Sequence, residues 1–260
     1  MQIASYDTDL TDTQWQLLEA LLPPRKRMGR PPTPPRLLMN SILYLVKSGC
    51  PWRLLPKCFP PWKTIYDRFR KWCRDGTWSL INHALRTVVR AEEDRSQRPT
   101  AAVLDSQTVR SDAHGGEVGY DAGKKTKGRK RFLLVDALGL LLGAVVLPAN
   151  TPERTGARTL LRPLLPAFRG LRTLWVDGAF NGPEFAGWVR REAPGLQVEV
   201  IRRSDDIRGF HVLPRRWVVE RTFGWLMQHR RLVRDYEKTD CSAAGWITIA
   251  LIRVMLRRVV

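Results

Sequence analysis

Two aspartates each follow a short apolar run that is typical of a buried β-strand. Residues 101–104 lead into Asp105, and residues 171–176 lead into Asp177. A carboxylate at the end of a buried strand costs free energy unless it has a positive partner. A divalent cation, which prefers oxygen ligands, can be that partner. The alternative is that both aspartates form turns or cap helices, and the two residues alone support both interpretations equally.

Glu220 is a third acid, within residues 214–229, whose apolar spacing predicts a helix. The buried face of this helix is predicted to carry Val219, Phe223 and Leu226. Arg216 and Gly224 lie four residues to either side of Glu220 and share its face. Arg216 can contact a phosphate, and Gly224 leaves space for one to approach. Two cations held by such acids, about 4 Å apart, can bind both oxygens of a phosphoryl displacement. The alternative is an ordinary Arg–Glu pair on a helix surface.

The charge of the chain indicates a polyanionic partner. Its 260 residues include 44 Lys and Arg against 25 Asp and Glu, a net charge of +19 that is spread over the whole sequence. Nucleic acid is the commonest such partner. A solvated basic surface and an anionic membrane surface are the alternatives. No apolar run reaches the roughly 20 residues of a membrane span, and the first ten residues do not resemble a signal peptide. We therefore expect a cytoplasmic protein that acts on nucleic acid.

The cysteines are compatible with a reducing compartment. Cys50, Cys58 and Cys73 could bind zinc together with His83. Their spacing matches no CxxC pattern, so free thiols are the preferred interpretation.

The first 98 residues are predicted to be helical, with helices at 11–22, 36–47, 65–75 and 77–90. A Pro-rich basic linker at 23–35 separates the first two. The third helix carries Ile65, Phe69 and Trp72 on one face and basic residues, including Arg68 and Lys71, on the others. This order predicts a helix-turn-helix unit, in preference to a helical bundle with a charged surface. A polar segment at 91–100 indicates a domain boundary, giving domains 1–98 and 99–260.

The second domain is predicted to alternate strands and helices. Strands are expected at 101–104, 132–137, 140–147, 171–176 and 196–201, and helices at 153–168, 183–192, 214–229 and 242–259. Leu138 and Gly139 are expected to form a hairpin turn. This order predicts an α/β fold with a mixed sheet and helices on its faces.

Residues 124–131 contain six basic residues in eight and are predicted to be a loop. We expect the loop to hold DNA phosphates, and a solvated charge run is the alternative. Trp225 can stack on an extruded base, although a tryptophan at such a position is more often part of the core.

Seven segments of the chain, in this order, resemble a known family. They are GCPWRLLP (49–56), WKTIYDRFRKW (62–72), LDSQTVRS (104–111), KGRKRFLLVD (127–136), ANTPERTGA (149–157), WVDGAF (175–180) and RWVVERTFGWL (216–226). Together they resemble a bacterial insertion-sequence transposase of the insertion-sequence-five family, within the insertion-sequence-four superfamily. The resemblance covers nearly the whole chain.

The resemblance implies an RNase H-like catalytic domain with Asp105, Asp177 and Glu220 as catalytic and metal-binding residues. It implies two Mg²⁺ or Mn²⁺ ions, cleavage of DNA and transfer of the freed 3′-OH to target DNA. The implied partners are double-stranded DNA, as terminal inverted repeats and target, and further copies of the chain in a synaptic dimer or larger complex. The implied location is the bacterial nucleoid. The expected DNA contacts are Arg68, Lys71, Lys124, Lys125, Lys127, Arg129, Lys130, Arg216, Arg221 and Trp225.

One departure concerns the superfamily signature Tyr-x2-Arg-x3-Glu-x6-Lys. Arg216 and Glu220 fit the signature, but Leu213 and Met227 replace its Tyr and Lys. This puts in doubt any step that needs those two residues, including hairpin formation. Two rival functions are a DNA-binding regulator without catalysis and a metal-dependent nuclease without strand transfer.

Overall fold

A computed structural model describes residues 6–24, 33–112, 115–201 and 217–259 of the chain. The helices are α1 (Asp12–Glu19), α2 (Pro35–Ser48), α3 (Trp62–Arg74), α4 (Thr77–Glu92), α5 (Glu153–Leu164), α6 (Pro183–Glu192), α7 (Trp217–Met227), α8 (Arg230–Val233) and α9 (Asp240–Leu256). The strands are β1 (Ala101–Arg110), β2 (Gly119–Asp121), β3 (Thr126–Asp136), β4 (Leu141–Pro148), β5 (Thr173–Val176) and β6 (Gln197–Val200). Residues 25–32 of the predicted linker, Leu213 and Arg216 lie outside the described residues.

The six strands form one mixed sheet. β1 pairs antiparallel with β3, which pairs antiparallel with β4 and with the short β2. On its other side β1 pairs parallel with β5, which pairs parallel with β6. The parallel connections pass through α5 and α6, as parallel strands require a long crossover. This architecture confirms the predicted RNase H-like mixed sheet with flanking helices.

The sheet separates two apolar layers, because successive side chains of a strand point to opposite faces. The back face carries Leu104, Phe132, Leu134 and Leu174, which pack against α5 and α6. The front face carries Val103, Leu133 and Val135, which pack with residues of α1–α4, α7 and α9.

The N-terminal helices share the front core with the sheet. Phe69 of α3 stacks on the fully buried Trp246 of α9, with ring centroids 4.3 Å apart. In α4, Arg86 donates a hydrogen bond of 2.8 Å to the carbonyl of Leu141 at the start of β4. Arg90 forms a buried ion pair of 2.5 Å with Asp136 at the end of β3. The helical segment before residue 98 is therefore attached to the sheet by packing and by buried charge.

Two predictions about the strands are wrong. β1 does not end before Asp105 but continues to Arg110, paired throughout with β3. Residues 124–131 do not form a loop, because only the turn before Thr126 is irregular and the remainder is the first half of β3. The close approach of β1 at Gly128, where an added Cβ atom would lie 2.0 Å from the carbonyl oxygen of Val109, fixes this pairing.

Candidate active site

Asp105 on β1 and Asp177 directly after β5 occupy corresponding positions relative to the paired strands. In the parallel pair of β1 and β5, Val103 is aligned with Trp175. Continuing that register by two residues places Asp105 opposite Asp177, on chains that run about 4.8 Å apart. Val103 and Trp175 both pack into the front core, so the two aspartates also face the front. The register therefore brings together two acids that are 72 positions apart in the sequence.

The two carboxylates have different surroundings. Asp105 is inside a paired strand and only 8% exposed, and its Oδ1 accepts a hydrogen bond of 2.7 Å from the N–H of Ser106. Asp177 follows the last residue of β5, as predicted. Its Oδ1 accepts a hydrogen bond of 2.9 Å from the N–H of Ala179 and so caps a short 3₁₀ turn. Both carboxylates are thus oriented by the backbone that follows them.

Glu220 is on the same face of the sheet. It is an exposed residue in the first turn of α7, which buries Val219, Phe223 and Leu226 in the front core, as the apolar spacing predicts. α7 packs across β1, the strand that bears Asp105. The three acids are therefore presented on one side of the molecule by two adjacent strands and one helix.

The turn between β3 and β4 holds α7 in place. Thr222 Oγ1 donates a hydrogen bond of 3.0 Å to the carbonyl of Gly139, and Arg221 donates one of 3.0 Å to the carbonyl of Leu138. Gly139 has a φ of +79°, and a Cβ atom there would lie 2.8 Å from Thr222 Oγ1. Glycine is thus required both by the turn conformation and by the close approach of the helix.

Buried arginines of β3 fix the segment that follows α7. Arg131 donates a hydrogen bond of 2.7 Å to the carbonyl of Leu232. Arg129, which is fully buried, forms ion pairs with Asp235, at 3.2 Å, and with Asp240. These contacts tie residues 232–240 to the front of the sheet and so fix the end of α7 that is farther from Glu220.

The prediction that Arg129 and Lys130 contact DNA is wrong. Arg129 is used in the ion pairs described above. Lys130 is 6% exposed, and its Nζ lies 2.9 Å from Glu153 and 3.8 Å from Asp121. The acidic partners of Arg129 and Lys130 are separated from them in the sequence. The basic run at 124–131 therefore gave no indication that these two side chains are paired.

The exposed predicted DNA contacts lie in two places. Lys124, Lys125 and Lys127 are exposed at the turn between β2 and β3. Arg68 and Lys71 lie on the outer side of α3, whose inner side buries Ile65, Phe69 and Trp72. α2, a 3₁₀ turn at Trp52–Leu54 and α3 follow each other in the order expected of a helix-turn-helix unit.

Trp225 packs into the protein's own core layer. It is half-buried against the front core, and the guanidinium groups of Arg221 and Arg258 each lie 4.7 Å from its ring centroid. The core interpretation is therefore the one that the structure shows.

Sequence reasoning missed Trp217, which is 4.4 Å from the Arg221 guanidinium. The spacing of four residues between Trp217, Arg221 and Trp225 was the signal that could have found it.

In the part of the chain that the structure describes, no group of three His, Cys, Asp or Glu side chains is close enough together to hold a metal ion. Asp105, Asp177 and Glu220 share a face and supply the hard oxygen donors that Mg²⁺ prefers. The fit is thus supported by the donor type and by the strand register that precedes the two aspartates. Within the same residues, no helix is both long and apolar enough to cross a bilayer.

Two family models match the chain. One, described as "Putative transposase of IS4/5 family", matches residues 10–82. The other, described as "Transposase DDE domain", matches residues 96–255, which is more than half of the chain. The first match covers α1–α3, and the second covers all three acids.

Relatives are found in two bacteria. The "Insertion element IS402 uncharacterized 16.2 kDa protein" of Burkholderia cepacia is 33% identical over 117 residues, which are 42% of this chain and 78% of that protein. The "Putative transposase for insertion sequence element IS402" of the same organism is 29% identical over 126 residues, 45% of this chain and 58% of that protein. Protein y4sN of Sinorhizobium fredii is 27% identical over 106 residues, 40% of this chain and 78% of that protein.

Proposed function

This chain belongs to the DDE-domain transposases of the IS4/5 family, and we propose that it binds the ends of an insertion sequence, cuts the DNA there and joins the freed 3′-OH to target DNA. The observation that carries the proposal is the shared register of Asp105 and Asp177, with Glu220 on a helix packed over the same face. A regulator that only binds DNA has no need of three acids in this arrangement.

Domains of the DDE type use divalent metal ions. We assign two ions, Mg²⁺ or Mn²⁺, to the carboxylates of Asp105, Asp177 and Glu220. When bound, such ions activate the attacking oxygen and stabilise the leaving oxygen of a phosphoryl displacement. The nucleophiles are water in the cutting step and the 3′-OH in the joining step, so no side chain forms a covalent intermediate.

The three acids contribute differently because they are held differently. Asp105 is nearly buried within a paired strand, so its carboxylate is the least mobile of the three. Asp177 is oriented by the turn that it caps. Glu220 is exposed on the first turn of α7, and its long side chain can adjust to the DNA. Two fixed ligands and one adjustable ligand allow the site to close when the substrate is in place.

DNA binding is assigned to the exposed basic residues outside the acidic site. Arg68 and Lys71 on α3 are proposed to contact the terminal inverted repeats, in the manner of a helix-turn-helix unit. Lys124, Lys125 and Lys127 are proposed to hold phosphates near the site. Arg216 and Arg221 remain proposed DNA contacts, and the active form is proposed to be a dimer or larger synaptic complex that works at the bacterial nucleoid.

The test is to separate binding from chemistry. The variants Asp105→Asn, Asp177→Asn and Glu220→Gln each remove one anionic ligand with little change of shape, so each should abolish cutting and joining in Mg²⁺ while leaving the binding of terminal DNA intact. Cutting and joining are measured on labelled DNA that carries the ends of the element.

Glu184→Gln is the matched control. Glu184 is also an exposed glutamate in the first turn of a helix, but it lies on α6 at the back of the sheet and pairs with Arg158 at 2.8 Å. This variant should keep full activity. If Glu220→Gln also kept full activity, Glu220 would not be the third ligand. If the wild type cut DNA but never joined a 3′-OH, the protein would be a nuclease.

A further inference from the structure

Four cationic side chains from separate parts of the chain meet at the end of α7 that is farther from Glu220. They are Lys47 in the last turn of α2, Arg230 at the start of α8, and Arg253 and Arg257 at the end of α9. The Nζ atom of Lys47 donates a hydrogen bond of 2.9 Å to the carbonyl of Gln228. The end of α2 also touches α8, since a Cβ atom added at Gly49 would lie 3.0 Å from the Cβ of Arg230.

This cationic cluster has few acidic neighbours: Asp7 lies close to Arg253, and Asp7 and Asp9 line a cavity with Arg253 and Arg257. In the described part of the chain, no carboxylate lies within 4.0 Å of the charged groups of Lys47, Arg230 or Arg257, although ion pairs occur elsewhere on the front face. Burial lowers the pKa of Lys47, and the positive charges of Arg253, Arg257 and Arg230 lower it further. Four positive charges held together with fewer negative ones destabilise the fold, and a bound polyanion would reduce that cost.

A basic path connects the cluster with Glu220. The outer side of α7 presents Glu220, Arg221 and Gly224 in succession, and Gln228 directly follows the end of the helix. Arg221 and Arg258 both lie over the ring of Trp225, which orients their guanidinium groups. Gly224 leaves the middle of this side flat, because a Cβ atom added there would meet nothing within 4 Å. From Glu220 to its last residue, Met227, the helix rises about 10 Å.

We propose that Lys47, Arg230, Arg257 and Arg258 bind the phosphate backbone of the DNA duplex whose phosphodiester lies at Glu220, about three to four base pairs from that phosphodiester. This C-terminal strip is separate from the α3 surface and from the lysines of the β2–β3 turn. The proposal rests on the proposed function for the position of the reacting phosphodiester. Duplex DNA fits the strip because its phosphates repeat every 3.4 Å or so along each strand, and because the strip is flat, basic and open.

The test compares two variants that lose the same charge. The strip variant is Lys47→Gln, Arg230→Gln, Arg257→Gln and Arg258→Gln together. The control variant changes four exposed arginines around α6 and the start of β5 to Gln, namely Arg169, Arg172, Arg190 and Arg191. Affinity for a labelled duplex is measured by fluorescence anisotropy over a series of salt concentrations. Each phosphate contact contributes about 0.9 to the slope of log K against log salt.

The strip variant should reduce that slope by about 3.6 if all four contacts are lost, and the control variant should leave it nearly unchanged. An unchanged slope in the strip variant, or equal reductions in both variants, would overturn the proposal. Thermal unfolding checks that both variants are folded. If the strip variant is unfolded, the variant Arg230→Lys, Arg257→Lys and Arg258→Lys keeps the charge and must keep the wild-type slope for the proposal to stand.

Neutral methylphosphonate links then locate the contact on the DNA. Placed three or four base pairs from the cut, they should weaken binding of the wild type and of the control variant but have little further effect on the strip variant. Equal weakening of all three proteins would overturn the proposed position. A wild type that binds duplex with the steep slope but neither cuts nor joins would refute the proposed function and leave the strip as a DNA-binding surface.

Discussion

The front and back faces of the sheet are made by the same strands but stabilised by different means. On the back face most inward side chains are apolar, for example Leu104, Phe132 and Leu174, and they are covered by α5 and α6; the buried cation there, Lys130, pairs with Glu153 of α5. On the front face the apolar side chains of β1 and β3, such as Val103 and Leu133, lie towards one end of the strands. Charged side chains, including Asp105, occupy the other end.

The difference has a physical origin in the alternation of side chains along a strand. One face can be wholly apolar and keep the strands in register, while the other carries charge without disturbing that register. Covering the charged end requires partners that local connections do not supply. These partners come from residues 229–240 and from α9, near the end of the sequence. The helices before β1 pack against the apolar part of the front face.

The largest effect on stability is expected from the buried charge of the front face. Arg129→Met leaves Asp235 without its ion-pair partner in a buried position. Breaking a buried pair from one side costs about 3–5 kcal/mol. Urea unfolding measures this loss, and Lys127→Met, two positions earlier in β3 but exposed, should change stability by less than about 0.5 kcal/mol. If both variants lost equally little, the front face would not depend on its buried charge.

The next effect concerns pH and is again confined to the front face. His229 is 3% exposed, and burial lowers its pKa to about 4; that value includes the smaller lowering by the positive charges of Arg253, Lys47 and Arg257 and the opposing effect of the hydrogen bond with the carbonyl of Trp225. The unfolded chain protonates this histidine near pH 6.5, and the folded chain does so only near pH 4. The contribution of neutral His229 to the free energy of unfolding is therefore fully present above pH 6.5 and is lost as the pH falls towards 4.

That loss amounts to about 2–3 kcal/mol from this one residue. His229→Gln should flatten the decrease in the free energy of unfolding between about pH 6.5 and 4, as measured by urea unfolding at a series of pH values. The exposed Gln228→His variant, which places a histidine in solvent one residue earlier, should leave the wild-type decrease unchanged. An identical decrease in the wild type and in His229→Gln would show that His229 is not responsible.

A smaller effect is expected on the back face, where stability depends on close packing. In Gly156→Ala of α5, the new Cβ atom would lie 2.1 Å from the ring of Phe132, and such overpacking costs about 1–3 kcal/mol. In Gly187→Ala of α6, the new Cβ atom would meet only Arg191, at 3.7 Å, and the higher helix propensity of alanine should stabilise by up to about 1 kcal/mol. Thermal unfolding distinguishes the expected loss of stability in Gly156→Ala from the expected gain in Gly187→Ala. If Gly156→Ala kept the stability of the wild type, α5 would be able to shift away from the sheet.

The sequence was most informative where the pattern is local. The apolar spacing of α7 and the apolar runs of β4 and β5 predicted these elements, and the hairpin turn at Leu138 and Gly139 was also confirmed. Family resemblance pointed to Asp105, Asp177 and Glu220, and the register of β1 and β5 adds a physical reason for pairing the first two.

The remaining features could not be predicted, because they depend on partners far away in the chain. The first half of β3 was predicted as a loop, since nothing near Arg129 and Lys130 in the sequence shows the acids that neutralise them. The continuation of β1 beyond Asp105 depends on the same pairing with β3. The C-terminal strip joins the ends of α2 and α9, which are about 200 residues apart, so its charges do not form a run in the sequence.

The central claim is that the front face gathers Asp105, Asp177 and Glu220 around shared cations. The most direct measurement replaces Mg²⁺ with Fe²⁺ in the complex with DNA and generates hydroxyl radicals at the bound iron, so that the polypeptide is cut near the metal. The account predicts cuts close to Asp105, Asp177 and Glu220, suppressed by excess Mg²⁺ and absent near Glu184. Cuts near the two aspartates but none near Glu220, or cuts on the back face, would contradict it.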